Sequence, residues 1–99
     1  MKDKKQKVYK LLKKIPKGKI STYKAVSVAT GIHPRAVGMI LHVNPDPIGA
    51  PCYKIIKSDG SLGGYGGAGG VEKKIELLKR DGIEIRNGKV DLKKYLHEF

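Results

Sequence analysis

Cysteine, acidic side chains and long apolar runs are all scarce in this sequence. The single cysteine, Cys52, excludes an intramolecular disulfide. The histidines at positions 33, 42 and 97 are scattered, so they and Cys52 give no metal-ligand spacing. No apolar run approaches the length that spans a bilayer, and the first residues lack the apolar stretch of a secretory signal. We therefore expect an intracellular, cytoplasmic protein in which Cys52 is either a buried filler or a chemical reagent.

Because acidic residues are few, the chain is strongly basic. Nine Asp and Glu oppose 21 Lys and Arg, which gives a net charge of +12 and an isoelectric point near 9.9. This charge favours a polyanionic partner, and a lysine-rich surface selected for solubility or heat tolerance is the alternative. A length of 99 residues with 39% apolar side chains predicts one small domain over 1–99.

Apolar spacing predicts three helices in the first half of the chain. The first, over 4–15, has one apolar stripe made of Val8, Leu11, Leu12 and Ile15. The second begins after Ser21 as N-cap and runs through Thr30, with Ala25, Val28 and Ala29 on one side. The third has Pro34 in its first turn, and its apolar residues Val37, Ile40 and Leu41 lie on one face. Two short helices joined by a turn that contains glycine form the helix-turn-helix pattern.

The outer face of the third helix is thin. Arg35, Met39 and His42 point outward, flanked by the small residues Ala36 and Gly38. Small side chains let a helix approach a nucleic-acid backbone or a narrow groove closely, and a lone arginine reaches further in than its neighbours. An ordinary solvated face is the alternative.

After these helices the pattern becomes mixed. Three prolines, at 45, 47 and 51, stiffen the segment that delivers Cys52. A strand is predicted at 53–57 and a turn at Asp59–Gly60. A fourth helix with Val71, Ile75 and Leu78 is closed by Gly82, and Asn87–Gly88 predicts a hairpin. A last helix at 93–99 is expected to pack Tyr95, Leu96 and Phe99 on the body. The predicted fold class is α+β, mainly helical: a winged-helix-like helix-turn-helix domain with short hairpins.

The glycine tract at 64–69 matches G-x-G-x-x-G formally. A dinucleotide fold would need a parallel sheet that a chain of this length cannot supply, so the tract is either a flexible linker or a loop for close approach. Tyr65 among the glycines favours a loop that packs against a flat ligand or against the cysteine loop.

Several motifs, in order, resemble the C-terminal domain of the O6-alkylguanine-DNA alkyltransferases. The resemblance runs from about Val8 to Gly82, with a hairpin and short helix following at 83–99. Its motifs are Ile20-Ser21-Thr22-Tyr23, Arg35-Ala36-Val37-Gly38, Asn44-Pro45, Pro51-Cys52, Gly64-Tyr65-Gly66-Gly67, Leu77-Leu78 and Asp81-Gly82. Each motif alone is weak, but their order and spacing together are specific.

The resemblance implies a DNA repair protein that binds duplex DNA containing O6-alkylguanine. Members lay the second helix of the pair in the minor groove and rotate the damaged guanine out of the stack. Carried over, Cys52 is the nucleophile that accepts the alkyl group irreversibly, Arg35 fills the vacated space, and Tyr23 pushes on the phosphate. Ala36 and Gly38 belong to the DNA-binding surface; Asn44 braces the turn, and Tyr65 and Gly67 line the base pocket. The resemblance implies no metal or organic cofactor and a monomer.

The cysteine motif departs from the family pattern. The family has Pro-Cys-His-Arg, where the histidine helps to deprotonate the thiol and a glutamate orients it, whereas this chain has Pro51-Cys52-Tyr53-Lys54 with Asp81 as the acid. A phenol accepts a proton poorly at neutral pH compared with imidazole. The longer Tyr53 and the shorter Asp81 are nevertheless expected to be able to pair, either as a modified proton relay or as a structural substitute.

The family also carries an N-terminal domain, so we expect that part to be dispensable here or supplied by another chain. The related alkyltransferase-like proteins replace the cysteine, bind the lesion and hand it to excision repair. Three hypotheses remain open: a single-turnover alkyltransferase, a lesion-recognition protein with weak or no transfer, and an unrelated basic DNA-binding regulator.

Overall fold

The computed structural model describes residues 2–43, 50–63 and 70–99. Three helices form the N-terminal half of the fold. Helix α1 spans Lys2–Leu12, α2 spans Tyr23–Thr30 and α3 spans Pro34–His42. Their inner faces meet in a first core cluster, which includes Val8, Leu12, Ile15, Val26, Ile32, Val37, Ile40 and Leu41. The predicted inward faces of α1 and α3 are confirmed, but α1 ends at Leu12, so the buried Ile15 lies in the turn that follows the helix and not on it. On α2 the buried residue is Val26, whereas Val28 is 77% exposed, so the side with Val28 faces outward.

Helix α2 begins one residue later than the sequence predicts. Thr22, and not Ser21, is the N-cap, because its side-chain oxygen accepts the backbone N–H of Ala25 at 3.0 Å. Ser21 is instead buried in a strand, β1 (Ser21–Thr22), that pairs with a distant segment. The helix ends as predicted at Gly31, whose φ of 74° is the left-handed conformation that glycine adopts readily.

Strand β2 is shorter than predicted and links two core clusters. Residues Cys52–Lys54 form a 3-10 turn, so only Ile55–Ile56 remain as β2, paired in parallel with β1. Successive side chains of a strand point to opposite sides. Accordingly Ile55 joins the first cluster, and Ile56 joins a second cluster with Ile20, Leu62, Leu78, Ile83, Val90 and Tyr95.

The second cluster is enclosed by the C-terminal elements. These are α4 (Gly70–Arg80), β3 (Ile85–Arg86), β4 (Lys89–Val90) and α5 (Leu92–Tyr95). The predicted hairpin is confirmed: β3 and β4 are antiparallel, and Asn87 and Gly88 have φ values of 53° and 72°. The predicted turn before it also forms, since Gly60 N–H donates to Lys57 O, and a Cβ at Gly60 would lie 2.8 Å from Val90 O.

The predicted helix at 93–99 is wrong beyond Tyr95. The chain extends instead, Leu96 forms a parallel bridge with Ile20, and His97 N–H donates to Ile20 O at 2.7 Å. Tyr95 is buried as expected, but Leu96 and Phe99 are 36% and 45% exposed, because the extended tail carries them past the core. The fold class, mainly helical with a few short strands around a helix-turn-helix pair, is as predicted. Within the described ranges no helix combines the length and apolar character needed to cross a bilayer.

Candidate functional site

Cys52 lies where the two core clusters meet. Its backbone N–H donates to Ala50 O at 2.8 Å, and its carbonyl accepts the N–H of Ile55. The side chain is 7% exposed and packs in the first cluster, while the next residue, Tyr53, packs against the second. Of the three prolines expected to stiffen this segment, Pro51 directly precedes the turn, and Pro45 and Pro47 lie outside the described residues. Burial alone would fit a cysteine that only fills space in the core. The evidence that Cys52 is reactive must therefore come from the polar groups around it.

Tyr53 and Asp81 form the hydrogen bond that the departure from the family motif suggested. The phenol donates to Asp81 Oδ2 at 2.7 Å. Lys54 Nζ lies 3.7 Å from the same oxygen and donates to the carbonyls of Ile15 and Pro16 at 3.0 and 3.3 Å. Lys54 therefore connects the cysteine turn to the end of the first helical segment, while Tyr53 connects it to the residue after α4. Whether the pair also moves a proton stays a prediction.

Lys74 is a charged neighbour of the cysteine that sequence reasoning missed. Its side chain is 1% exposed, and Nζ donates to Ile55 O at 2.6 Å and to Leu62 O at 2.7 Å. Burial lowers the pKa of Lys74 from 10.5 to about 8, and negative charge on Cys52 acts in the opposite direction. That interaction is reciprocal, so a Lys74 ammonium opposes the effect of burial, which by itself disfavours the charged form of Cys52. The available signal was a lysine on the apolar stripe of α4, between Val71 and Leu78.

Two tyrosines are also within electrostatic range of Cys52. Burial raises the pKa of the Tyr23 phenol, and negative charge on Cys52 adds to the rise. The same two causes raise the pKa of Tyr9, whose hydroxyl donates to Ile40 O at 3.2 Å. A Cβ at Gly63 would lie 3.4 Å from Tyr23 Oη. Tyr23 therefore packs close to Gly63 and within electrostatic range of Cys52, and its raised pKa keeps the phenol in the neutral form.

The outer face of α3 matches the prediction. Arg35, Met39 and His42 are exposed, Ala36 is half-buried, and the guanidinium of Arg35 has no ion-pair partner among the described residues. A Cβ at Gly38 would meet nothing within 4 Å, so internal packing does not require glycine there. Glycine inside a helix costs about 1 kcal/mol relative to alanine. The open space is therefore available to a partner outside the fold.

Charge is divided between the two halves of the chain. Residues 2–43, which contain the three N-terminal helices, have eleven Lys and Arg and one acidic residue, Asp3, whereas residues 70–99 have eight Lys and Arg and six Asp and Glu. The helix-turn-helix half thus attracts anions, since a single carboxylate opposes its positive charge. Across residues 2–43, 50–63 and 70–99, no three His, Cys, Asp or Glu side chains lie close enough to hold a metal ion.

Three predicted site residues, Asn44, Tyr65 and Gly67, lie outside the described residues. Of the others, the fold brings Cys52, Tyr53 and Asp81 together and sets Tyr23 near them. Arg35, Ala36 and Gly38 share α3.

A basic helix-turn-helix pair with a thin outer helix, joined to a buried cysteine beside a buried lysine, defines a DNA-binding domain that contains a candidate nucleophile. The sequence model described as "6-O-methylguanine DNA methyltransferase, DNA binding domain" matches residues 3–83. The chain belongs to this family.

Named relatives share much of the sequence but are longer. The chain is 50% identical over 90 residues to the bifunctional methyltransferase/endonuclease of Picrophilus torridus, covering 89% of this chain and 30% of that protein. It is 47% identical over 68 residues to the methylated-DNA–protein-cysteine methyltransferase of Pyrobaculum aerophilum, covering 69% and 45%. The chain therefore spans less than half the length of these two relatives.

A solved structure matches the whole chain. S. pombe Atl1, in complex with damaged DNA containing O6-carboxymethylguanine, superimposes with a TM-score of 0.86 at 27% identity, covering 100% of this chain and 98% of that one.

Proposed function

We propose that this protein, as one domain over 1–99, binds duplex DNA containing O6-alkylguanine and transfers the alkyl group to Cys52. The thiolate sulfur attacks the alkyl carbon, an S–C bond forms, and the bond from that carbon to O6 breaks. The guanine leaves with the electron pair on O6 and takes up a proton to become normal guanine. The product thioether cannot be displaced by water, so each molecule acts once.

The observation that carries this proposal is the environment of Cys52: the residue is buried, it begins the 3-10 turn directly after Pro51, and it lies within electrostatic range of the buried ammonium of Lys74. Thiolate is the nucleophilic form, and a nearby cation increases its population. The burial has a second consequence. A base stacked in a duplex cannot bring its O6 substituent to a buried sulfur, so the alkylated guanine must leave the stack.

The residues on α2 and α3 would offset the cost of extruding the base. Unstacking costs a few kcal/mol, and inserted side chains and phosphate contacts must supply that energy. The exposed Arg35 suits the vacated space, the bare surface at Ala36 and Gly38 suits close approach, and Tyr23 suits contact with the target phosphate. The family assignments of Asn44, Tyr65 and Gly67 complete the proposed site.

Lesion recognition without transfer is the second candidate. It is favoured by Tyr53, which stands where the family has histidine, and by the similarity over the whole chain to S. pombe Atl1 in complex with damaged DNA. In that case Lys74 and the Tyr53–Asp81 pair stabilise the domain, and the bound lesion would be passed to excision-repair proteins.

Intact mass separates the two candidates. The protein is incubated with a duplex containing one O6-methylguanine, denatured and weighed, with Cys52→Ser and a lesion-free duplex as controls. Transfer adds one methylene mass to the wild-type protein only, and peptide mapping locates it on Cys52. An unmodified wild-type protein that nevertheless binds the lesion duplex more tightly than the lesion-free duplex assigns the chain to the second candidate.

A further inference from the structure

An apolar groove lies between the outer side of α2 and the extended tail, residues 96–99. Its volume is about 410 Å³, and we call it the α2–tail groove. Its apolar lining comes from Ala25, Val28 and Ala29 on α2 and from Leu96 and Phe99 on the tail. None of the described residues that line it belongs to the set assigned to the DNA and alkylguanine site.

The groove exists because the tail is extended. The bridge from Leu96 to Ile20 and the bond from His97 N–H to Ile20 O hold the tail beside the start of α2. Single exposed apolar residues are normal on a protein surface, whereas several around one hollow are typical of an interaction site. The tail also lies beyond residues 3–83, so this wall is not part of the region that identifies the family.

The charged side chains of the groove are balanced, although the chain as a whole is strongly basic. Lys24 and Glu98 both line the groove and are both exposed. An acidic partner would meet Glu98 with like charge, and a basic partner would meet Lys24 with like charge. A second copy of the chain opposes both residues with the correct sign, because a two-fold axis sets residue i of one copy against residue j of the other, and j against i.

The apolar shape of this surface is complementary to itself as well. The same face offers a hollow and two projecting side chains, Val28 and Phe99, which are 77% and 45% exposed. A self-complementary interface needs both features on one patch, since each copy must supply what the other receives.

We propose that the α2–tail groove seats a second copy of this chain in a two-fold dimer. Val28 and Phe99 of each copy lie against the groove of the other, and Lys24 of each copy faces Glu98 of the other. A face made of one short helix and the tail buries on the order of 1,000 Å² in total, the size of a weak, transient interface. We therefore expect a dissociation constant on the order of 100 μM, with the monomer predominant below it.

Salt affects this dimer in the direction opposite to DNA binding. Each copy has a net charge of +12, so two copies repel each other, and dissolved salt screens that repulsion. The dimer is therefore expected to be tighter at moderate salt than at low salt. Copies held together by contaminating nucleic acid would instead separate as salt rises, because counterion release drives that binding.

Sedimentation equilibrium of the full chain, at concentrations below and above the expected dissociation constant and at two salt concentrations, measures the association. The average mass should rise from the monomer value of 10.8 kDa towards twice that value. Val28→Asp places a carboxylate against the apolar hollow and is expected to raise the dissociation constant about tenfold or more. Val71→Asp changes an exposed valine on α4, outside the groove, and is the matched control. Circular dichroism checks that every variant is folded.

Exchanging the two charges tests the two-fold pairing. Lys24→Glu lowers the net charge but sets two carboxylates against each other twice in the dimer, so the dissociation constant should rise roughly fivefold. The double variant Lys24→Glu/Glu98→Lys restores opposite signs and should return to the wild-type value. Lys93→Glu makes the same change of net charge at an exposed residue outside the groove and should not weaken the dimer.

Three outcomes would overturn the inference, and none of them bears on DNA binding or alkyl transfer. A chain that stays monomeric well above the expected dissociation constant leaves the groove to a different protein partner. A dimer that Val28→Asp does not weaken forms through another surface. A dimer that Val28→Asp weakens but whose charge-exchanged double variant stays as weak as Lys24→Glu is not built on the proposed pairing.

Discussion

Replacing Tyr53 by phenylalanine tests what the substituted cysteine motif does. The change removes one hydrogen bond, from the phenol to Asp81 Oδ2 at 2.7 Å, and keeps the ring. The side chain of Asp81 is only 12% exposed, so solvent replaces the lost donor poorly, and Lys54 remains at 3.7 Å. A hydrogen bond to a charged group contributes about 1.5–3 kcal/mol, so Tyr53→Phe is expected to lower the free energy of unfolding by about that amount.

We expect the same variant to retain alkyl transfer. The phenol donates its proton to Asp81, which is the arrangement of a brace between the cysteine turn and the end of α4, and the ammonium of Lys74 acts on Cys52 without it. The rate loss should therefore stay well below the roughly hundredfold that a general base contributes. Denaturant unfolding gives the stability, and the methylated fraction in quenched single-turnover samples gives the rate. Tyr9→Phe, which loses a neutral hydrogen bond to Ile40 O, is the matched control.

A proton relay would give a different pattern. Tyr53→Phe and Asp81→Asn would each slow transfer by about a hundredfold or more, and the double variant would be no slower than the slower single variant, because linked groups are not additive. That result would refute a purely structural role for the hydrogen bond between Tyr53 and Asp81. Tyr53→His adds a decisive comparison: it accelerates transfer only if the site lacks a base.

Three further changes test the remaining assignments. Arg35→Ala should reduce affinity for a lesion duplex more than for a lesion-free duplex, as measured by fluorescence anisotropy. Equal losses of affinity for the two duplexes would contradict the assignment of Arg35 to the space left by the extruded base. Cys52→Ser should abolish transfer in the mass assay and leave DNA affinity near wild type, whereas loss of folding would favour the filler. The pKa of Lys74, lowered by burial from 10.5 to about 8, means that the unfolded chain binds more protons between those values. The free energy of unfolding should thus rise from pH 8 towards 10.5 by on the order of 3 kcal/mol; chemical denaturation at pH 8, 9 and 10 should show the rise in wild type and not in Lys74→Met.

Local patterns in the sequence determined much of the fold. The apolar faces of α1 and α3, the end of α2 at Gly31 and the hairpin at Asn87–Gly88 depend on periodicity and backbone preference within a few residues. The order of the motifs also indicated the family, and the family pattern suggested the partnership of Tyr53 with Asp81. These features need no knowledge of which distant segments meet.

Other features were decided only by tertiary contacts. Ser21 is a good cap by residue type, but pairing with Ile55 draws it into a strand and passes the cap to Thr22. The C-terminal tail leaves the helical conformation because the carbonyl of Ile20 accepts the N–H of His97. In both cases backbone hydrogen bonding to a distant segment overrides a local preference.

The position of the Lys74 ammonium beside the cysteine likewise could not be predicted from the sequence. Lys74 is one of 21 Lys and Arg in a strongly basic chain, and most lysines are solvated. Only the packing of α4 on β2 places its ammonium against the carbonyls of Ile55 and Leu62 and within electrostatic range of Cys52. The sequence indicated which residue is the candidate nucleophile, and the tertiary structure decided which cation accompanies it, because an ion's effect depends on distance and burial rather than on its place in the chain.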